Sequence, residues 1–124
     1  MVTTRARFIA NADAGWRDFK QEDVLMIARR WHGRVPAAKS DEYLRVMCEV
    51  AFPDYRSTEG NRGAWCLHRR EGDVVHVEMF TLWEDEAAVR RFAGDDMLRA
   101  KYYDFDPDFL LEMEPEVVQF EVIE

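Results

Sequence analysis

Aromatic side chains stand at the ends of several predicted secondary-structure elements, where they are well placed to contact a ligand. Trp31 ends the first predicted strand, Trp83 ends the third, and Tyr102 and Tyr103 end a predicted helical segment. Aromatic residues at such positions often line a cavity between a sheet and its helices, because they combine an apolar wall with an N–H or O–H group that can hold a polar atom. These residues therefore predict a small-molecule pocket; the alternative is that the same rings only fill the core.

Three histidines, His32, His68 and His76, are further candidates for catalysis or metal binding. Each lies on a different predicted strand, and His68 and His76 flank one predicted turn, so these two can approach each other across it. No carboxylate accompanies them at the i, i+4 spacing of a helical metal site, and Cys48 and Cys66 have no second sulfur nearby. We therefore expect hydrogen-bonded histidines, two free thiols in a reducing cytosol, and no metal.

The motifs of several common enzyme classes are missing from the sequence. The alternating acids of residues 104–108 resemble a calcium loop, but Phe109 replaces the required glycine and Pro115 replaces the final glutamate, so helix capping explains these acids better. The chain has no G-x-S-x-G elbow, no P-loop and no G-x-G-x-x-G turn. The glycine-containing stretch 60–63 is too short to wrap a phosphate. A nucleotide cofactor is therefore not expected.

The overall composition indicates an acidic globular protein. Twenty-five acidic residues against 17 basic ones give a formal net charge of -8, which repels nucleic acid and anionic membranes. No apolar run approaches the ~20 residues that span a bilayer, and residues 1–20 lack the apolar core of a secretory signal. We expect a soluble, cytoplasmic protein that binds neither nucleic acid nor membranes.

A change of composition near residue 23 divides the chain. Residues 1–22 are polar and lack a sustained apolar stripe, so they predict an N-terminal arm, and residues 23–124 predict one folded domain. Apolar and β-branched runs bounded by turn formers predict strands at 24–31, 64–70, 74–83 and 117–123. Helical spacing predicts helices over 37–50, 85–94 and 95–103, a helical turn at 106–108, and a loop over 53–63. Asp85 is expected to cap the second helix and Gly94 to end it.

This β-α-β-β-α-β order predicts an α+β, ferredoxin-like subunit. Its antiparallel sheet would be covered by helices on one face only, yet both faces of the third strand are largely apolar. One face carries Val75, Val77, Met79, Thr81 and Trp83, and the other carries Val74, His76, Glu78, Phe80 and Leu82. A second copy of the sheet is the simplest cover for the other face, so we expect a homodimer.

Eight short stretches of the chain resemble one known family. They are residues 31–36 (WHGRVP), 41–44 (DEYL), 53–55 (PDY), 60–63 (GNRG), 69–70 (RR), 81–84 (TLWE), 92–96 (FAGDD) and 100–103 (AKYY). Together they are similar to small proteins of the antibiotic biosynthesis monooxygenase group, within the dimeric α/β-barrel superfamily. The resemblance covers residues 24–124 and leaves out the arm.

The resemblance implies a ferredoxin-like subunit that pairs sheet to sheet as a dimeric α/β barrel, with a pocket between sheet and helices in each subunit. Characterised members oxygenate aromatic polyketide intermediates with O2 and with no metal, flavin or haem. There, an electron-rich phenol or anthrone loses a proton and its carbanion reduces O2 directly. The resemblance thus implies a cofactor-independent monooxygenase acting on an aromatic or polyketide-like molecule. Haem-degrading relatives use a histidine from the helical side, and no histidine follows His76.

Candidate site residues come partly from the resemblance and partly from their chemistry. Trp83 matches the family's pocket tryptophan at the end of the third strand, so it is expected to be catalytic. Asn61 and Arg62 are proposed as catalytic from placement, since an amide can hold a phenol oxygen and a guanidinium can offset an oxyanion. A cyclase, an isomerase, a ligand-binding protein or a dimer without chemistry on the same fold remain as alternatives. The expected substrate-binding residues are Trp31, Tyr102 and Tyr103.

Overall fold

The computed structural model describes residues 26–123, which form one four-stranded antiparallel sheet with helices on one face. The strands are β1 (Met26–Pro36), β2 (Asn61–Glu71), β3 (Val74–Trp83) and β4 (Val118–Val122), in the spatial order β2-β3-β1-β4. This order confirms the predicted α+β, ferredoxin-like fold. The predicted arm, residues 1–22, and the first residues of the domain lie outside the described residues.

The strands are longer than predicted at two places. β1 continues through Gly33 to Pro36, paired with β3 along its length, and β2 begins at Asn61 rather than residue 64. β1 requires a glycine at position 33, because a Cβ there would lie 2.5 Å from the Trp31 ring. β3 has the predicted bounds.

The first helical segment is longer than predicted and corrects the expected loop over 53–63. A 3-10 turn, α1, a π-helical turn and α2 follow one another without a break, at Ala37–Lys39, Ser40–Val46, Met47–Ala51 and Phe52–Ser57. Pro53 has no N–H to donate to the preceding turn, and the hydrogen bonding there is π-helical, since the Phe52 N–H donates to the carbonyl oxygen of Met47. Burial of Tyr55 then anchors α2 to the core.

The second helical segment is shorter than predicted. α3 (Glu86–Ala93) is capped as expected, since the Asp85 side chain accepts a hydrogen bond from the Ala88 N–H, and it ends at Gly94 with a φ of 90°. The predicted helix over 95–103 is wrong. This stretch instead pairs with the chain before β4, because Arg99 forms a bridge with Glu116. The predicted helical turn is present as a 3-10 turn at Asp106–Asp108.

The two faces of the sheet differ as the alternation of β3 predicts. The odd-numbered residues of β3, from Val75 to Trp83, are buried beneath the helices with Tyr43, Met47 and Tyr55. The even-numbered residues, from Val74 to Leu82, are half-buried on the opposite face, here called the open face. The open face also exposes Trp65, Leu67, Val118 and Phe120. Among residues 26–123, no helix has the length and apolar character needed to cross a bilayer.

Candidate functional site

A small cavity lies between the sheet and the helical layer. Its volume is about 10 Å³, room for a single water-sized group. Three aromatic rings and two cations, one from β1 and one from the segment after α3, belong to its wall. The lining residues are Arg29, Trp31, Tyr55, Met79, Thr81, Phe92, Lys101 and Val117. We refer to it as the helix-side cavity.

Arg29 is a buried cation in the wall of this cavity. Only 4% of its surface is exposed, and its Nη2 donates to the carbonyl oxygens of Met97 at 2.9 Å and Arg99 at 3.4 Å. Among residues 26–123 no carboxylate forms an ion pair with it, and its Nε–H has no acceptor. Burial lowers the pKa of Arg29, because the charged form loses its hydration.

Lys101 is the second cation of the cavity and belongs to a small polar cluster. Its Nζ lies 4.5 Å from the centre of the Phe92 ring and 2.8 Å from Oδ2 of Asp54. The Tyr103 hydroxyl donates to the same Asp54 oxygen at 2.6 Å. Burial opposes ionisation of Asp54, but the hydrogen bonds from Lys101 and Tyr103 outweigh it and keep its pKa below the usual value. The cluster therefore holds an ionised carboxylate one hydrogen bond from the cavity wall.

Trp31 and Tyr102 lie together, with Trp31 in the cavity wall. Their rings meet edge to face, with centroids 6.1 Å apart, and the Tyr102 hydroxyl donates to the carbonyl oxygen of Glu114 at 2.6 Å. Burial raises the pKa of Tyr102, and the nearby Trp31 indole opposes that shift. The indole N–H is nevertheless buried without an acceptor in hydrogen-bond geometry. Of the three predicted substrate-binding residues, Trp31 lines the cavity, and Tyr102 packs against Trp31 without lining it.

Trp83 is buried in the core and is not among the residues that line this cavity, so its expected catalytic role stays a prediction. Its side chain is fully buried, with ring centroids 5.4 Å from Phe92 and 6.4 Å from Tyr55. Its Nε1–H donates to Oγ1 of Thr81 at 2.8 Å. Trp83 therefore contacts three of the residues that line the cavity, namely Tyr55, Phe92 and Thr81, with its own N–H donor occupied. The alternation of β3 correctly predicted that Trp83 faces the helices, but it could not predict how deeply the side chain is buried.

Asn61 and Arg62 do not line the cavity either. The Asn61 amide donates to the carbonyl oxygen of Leu82 at 3.2 Å and accepts from the Gly63 N–H at 3.2 Å, across the irregular pairing that opens β2. Arg62 is exposed and pairs with Glu84 at 2.7 Å. Asn61 therefore holds the start of the strand, and Arg62 contributes to the surface.

Asp106 is a buried acid that the sequence analysis treated only as a helix cap. It accepts hydrogen bonds from the Tyr43 hydroxyl at 2.8 Å and from the Tyr103 N–H at 2.7 Å. Burial raises the pKa of Asp106, although both hydrogen bonds oppose the shift. These contacts tie the segment after α3 to α1, and so position Lys101 and Tyr103.

His32 and His76 lie on the open face in an arrangement that differs from the one considered, whereas His68 pairs with Val77 and belongs to the other face of the sheet. His76 contacts His32, not His68: Nδ1 of His76 lies 3.0 Å from Nε2 of His32, and the rings stack. Glu114 and Glu71 bind the outer nitrogens of this pair at 2.7 and 2.8 Å. In the described part of the chain, no group of three or more histidine, cysteine or acidic side chains is arranged to hold a metal ion.

The sequence analysis missed the two cations of the helix-side cavity. Arg29 shares its strand face with the buried residues Ile27 and Trp31, so a charge appears where the alternation calls for an apolar residue. A charged residue at a position that the alternation assigns to the core could have identified Arg29 as a candidate site residue from the sequence. Lys101 had no such signal, because its segment was predicted to be helical.

Comparisons with known proteins support the fold. No family model and no curated protein sequence matches the chain. Among solved structures, a conserved protein from Methanosarcina mazei Go1 has a TM-score of 0.58 and 16% identity, covering 81% of this chain and 95% of that one. A putative antibiotic biosynthesis monooxygenase from Bacillus cereus has a TM-score of 0.52 and 14% identity, covering 79% and 93%.

A third solved structure contains a ligand. It is a monooxygenase from the gene ActVA-Orf6 of Streptomyces coelicolor in complex with nanaomycin D, with a TM-score of 0.52 and 17% identity, covering 84% of this chain and 92% of that one. At these identities the likeness concerns the fold. The described residues have the ferredoxin-like fold found in structures of antibiotic biosynthesis monooxygenases, as the resemblance in the sequence implied.

Proposed function

We propose that the chain is a cofactor-independent monooxygenase that acts on an aromatic or polyketide-like small molecule with O2 at the helix-side cavity. The observation that carries the proposal is an aromatic-walled cavity holding a buried cation, on the helix side of a sheet whose fold is shared with monooxygenases. The cavity of about 10 Å³ admits one water-sized group, so a planar substrate requires the lining residues to move apart, while the buried positive charge suits a reaction that develops negative charge.

The proposed chemistry needs three contributions from the chain. The substrate C–H loses a proton, the carbanion transfers electrons to O2, and the peroxide formed on that carbon loses water to leave a carbonyl. One oxygen atom then ends in the product and the other in water. Arg29 stabilises the negative charge of the deprotonated substrate, and the rings of Trp31, Tyr55 and Phe92 exclude water. The substrate proton passes to Lys101, which gives one of its own protons to Asp54.

Asp54 is assigned the proton for a geometric reason. Within residues 26–123 it is the carboxylate bonded to a lining side chain, through Lys101, and its lowered pKa keeps it ionised at neutral pH. Tyr103 holds the same oxygen and acts as a positioning residue. Trp83 packs against the lining residues Tyr55 and Phe92.

The test is oxygen uptake with hydroxylated anthrones and naphthols as candidate substrates. We expect one O2 consumed per product, and one atom of 18O in the product when 18O2 is supplied. Heat-denatured protein controls for spontaneous oxidation, and added catalase reveals any free peroxide. Uptake no faster than with denatured protein across the panel would contradict the proposal.

A second candidate is a non-redox enzyme or binding protein on the same fold, such as a cyclase or isomerase. The buried Arg29 favours it equally, because an enolate formed without O2 would receive the same stabilisation. Conversion of a substrate in the absence of oxygen, at the rate seen in air, would select this alternative.

We further propose a homodimer formed through the open face. Its support is the exposed apolar surface there, which includes Trp65 and Leu67, each about half exposed, on a sheet with helices on the other face. Replacing Phe80 with Asp would place a charge in that interface. We expect the wild type to sediment as a dimer at micromolar concentration and Phe80→Asp as a monomer; a monomeric wild type would refute the dimer.

A further inference from the structure

Four hydrogen-bonded side chains form a row across the open face. At one end Nδ1 of His32 lies 2.7 Å from Oε2 of Glu114, and at the other Nε2 of His76 lies 2.8 Å from Oε1 of Glu71. Between them, Nε2 of His32 lies 3.0 Å from Nδ1 of His76. All four ring nitrogens of the two histidines, here called the histidine pair, therefore have a partner.

These contacts determine how many hydrogen atoms the histidine pair carries. An ionised carboxylate only accepts hydrogen bonds, so the two outer ring nitrogens each need a hydrogen. The hydrogen bond from His76 lowers the pKa of Glu71, which favours the ionised acceptor. The contact between the rings needs one further hydrogen, because two bare nitrogens or two N–H groups at 3.0 Å repel each other. Three hydrogens on four nitrogens make one neutral imidazole and one imidazolium.

The histidine pair lies in an acidic part of the open face. The charged side chains that share this part of the face with the pair are Arg34, Arg69, Glu71, Glu78, Glu112 and Glu114. Arg30 belongs to the same face but lies over the Phe120 ring. Four acids against two arginines leave one negative charge in excess when the pair is protonated, and two when it is not.

A groove of about 250 Å³ keeps the histidine pair in contact with solvent. The side chains of His32 and His76, both in its wall, are 27% and 15% exposed, so a single subunit can exchange the proton with water. His68 borders the groove from β2, with its side chain on the other face. Leu67 also lines the groove and belongs to the apolar surface that supports the proposed dimer. A second copy seated on Leu67 would cover the groove, which couples protonation of the pair to association.

We infer that His32 and His76 hold one proton between them and that loss of this proton weakens association through the open face. The inference deepens the proposed function, on which it rests for the homodimer, and adds a regulation of that dimer by pH. Loss of the proton breaks the bond between the rings and adds a negative charge to each of the two surfaces that come together, which opposes association. Association is therefore strongest while the pair is protonated and weakens as the pH rises and the proton is released.

The experiment measures the dissociation constant of the dimer by sedimentation equilibrium from about pH 6 to about pH 9, across the range in which the charge of histidine changes. The Kd of the wild type is expected to rise at least ~10-fold, since each subunit releases one proton and each release changes Kd by up to about tenfold per pH unit. His32→Asn can keep the bond to Glu114 but removes the inner nitrogen, so its Kd should change less than ~2-fold. His68→Gln is the matched control, because it removes a histidine from the other face, and it should keep the rise of the wild type.

A second measurement counts the hydrogens of the histidine pair directly. The 15N NMR shifts of the ring nitrogens distinguish a nitrogen that carries a hydrogen from one that does not. At the lower pH we expect a hydrogen on Nδ1 of His32, a hydrogen on Nε2 of His76, and intermediate shifts for the two inner nitrogens, which share the third. This measurement uses the wild type, so it still tests the inference if circular dichroism shows that His32→Asn does not fold.

Three results would overturn the inference. They are two neutral rings throughout the pH range, a rise in Kd that persists in folded His32→Asn, and a rise that His68→Gln abolishes. Failure of the proposed dimer gives a different pattern. A wild type that sediments as a monomer at every pH refutes the homodimer and its regulation together, whereas a dimer whose Kd does not change with pH refutes the regulation and leaves the homodimer.

Discussion

Replacing Trp83 with phenylalanine tests whether this residue belongs to the core or to a ligand-binding wall. The ring is fully enclosed by Tyr55, Phe92 and the sheet, and its N–H donates to Thr81. The smaller ring removes about 40 Å³, which at ~24 cal/mol per Å³ of residual cavity costs about 1 kcal/mol. Lost apolar burial adds about 1 kcal/mol, and the hydroxyl left without its donor adds roughly 1 kcal/mol.

We therefore expect Trp83→Phe to lower the free energy of unfolding by about 2–4 kcal/mol, or the Tm by roughly 8–15 °C in a protein of this size. Urea unfolding at fixed protein concentration gives the first value and thermal unfolding the second. Thr81→Val and the double variant complete a mutant cycle, in which the hydrogen bond should appear as a coupling energy of about 1 kcal/mol.

The opposite result has a clear meaning. If Trp83→Phe costs less than about 0.5 kcal/mol, a value typical of substitutions away from the core, and ligand binding falls in the folded variant, then Trp83 lines the ligand site. The proposal that the ligand binds at the helix-side cavity, next to Arg29, would then be wrong as well.

Three further predictions follow from named contacts. Asp85→Ala removes the N-cap of α3 and should cost about 1 kcal/mol in urea unfolding, while Asp85→Ser should restore most of it. Asp54 has a lowered pKa in the folded state, so its contribution to stability is present above its unfolded pKa and is lost as the pH falls through its folded pKa. The free energy of unfolding of Asp54→Asn should therefore fall less than that of the wild type between neutral and acidic pH. An equal fall would show that the pairing of Asp54 with Lys101 contributes nothing to stability. Partial burial raises the pKa of Cys66 to about 11, so iodoacetamide should alkylate Cys66 more slowly than the exposed Cys48. Peptide mass spectrometry measures both rates, and equal rates would contradict the shielding of Cys66.

The proposed site joins elements that are distant in the sequence, and its polar contacts explain how. Asp106 accepts hydrogen bonds from Tyr43 and from the Tyr103 backbone, which fixes the segment after α3 against α1. That attachment brings Tyr103 and Lys101 to Asp54. Changes at Asp106 are thus expected to reach the cavity through position rather than by contact.

Local patterns in the sequence determined the elements whose signals are short-range. β3 has its predicted bounds because ten apolar or alternating residues lie between a glycine turn and Asp85. α3 starts and stops where predicted, because a capping carboxylate and a glycine with positive φ act within one turn of the chain. The alternation of β3 also fixed which residues face the helices, since adjacent side chains of a strand point to opposite faces.

The tertiary structure alone decided how deep each side chain lies and what it touches. The stretch 95–103 has helical spacing, yet it pairs with the chain before β4, because that partner is distant in sequence and offers backbone hydrogen bonds. Parity places Trp83 on the helix side, but only the packing of Tyr55 and Phe92 around it separates a core ring from a cavity wall. Arg29 becomes a candidate for ligand binding only in the folded chain, which buries the side chain and provides no carboxylate partner within the described residues. An unpaired charge lowers the stability of the folded state only when it is buried.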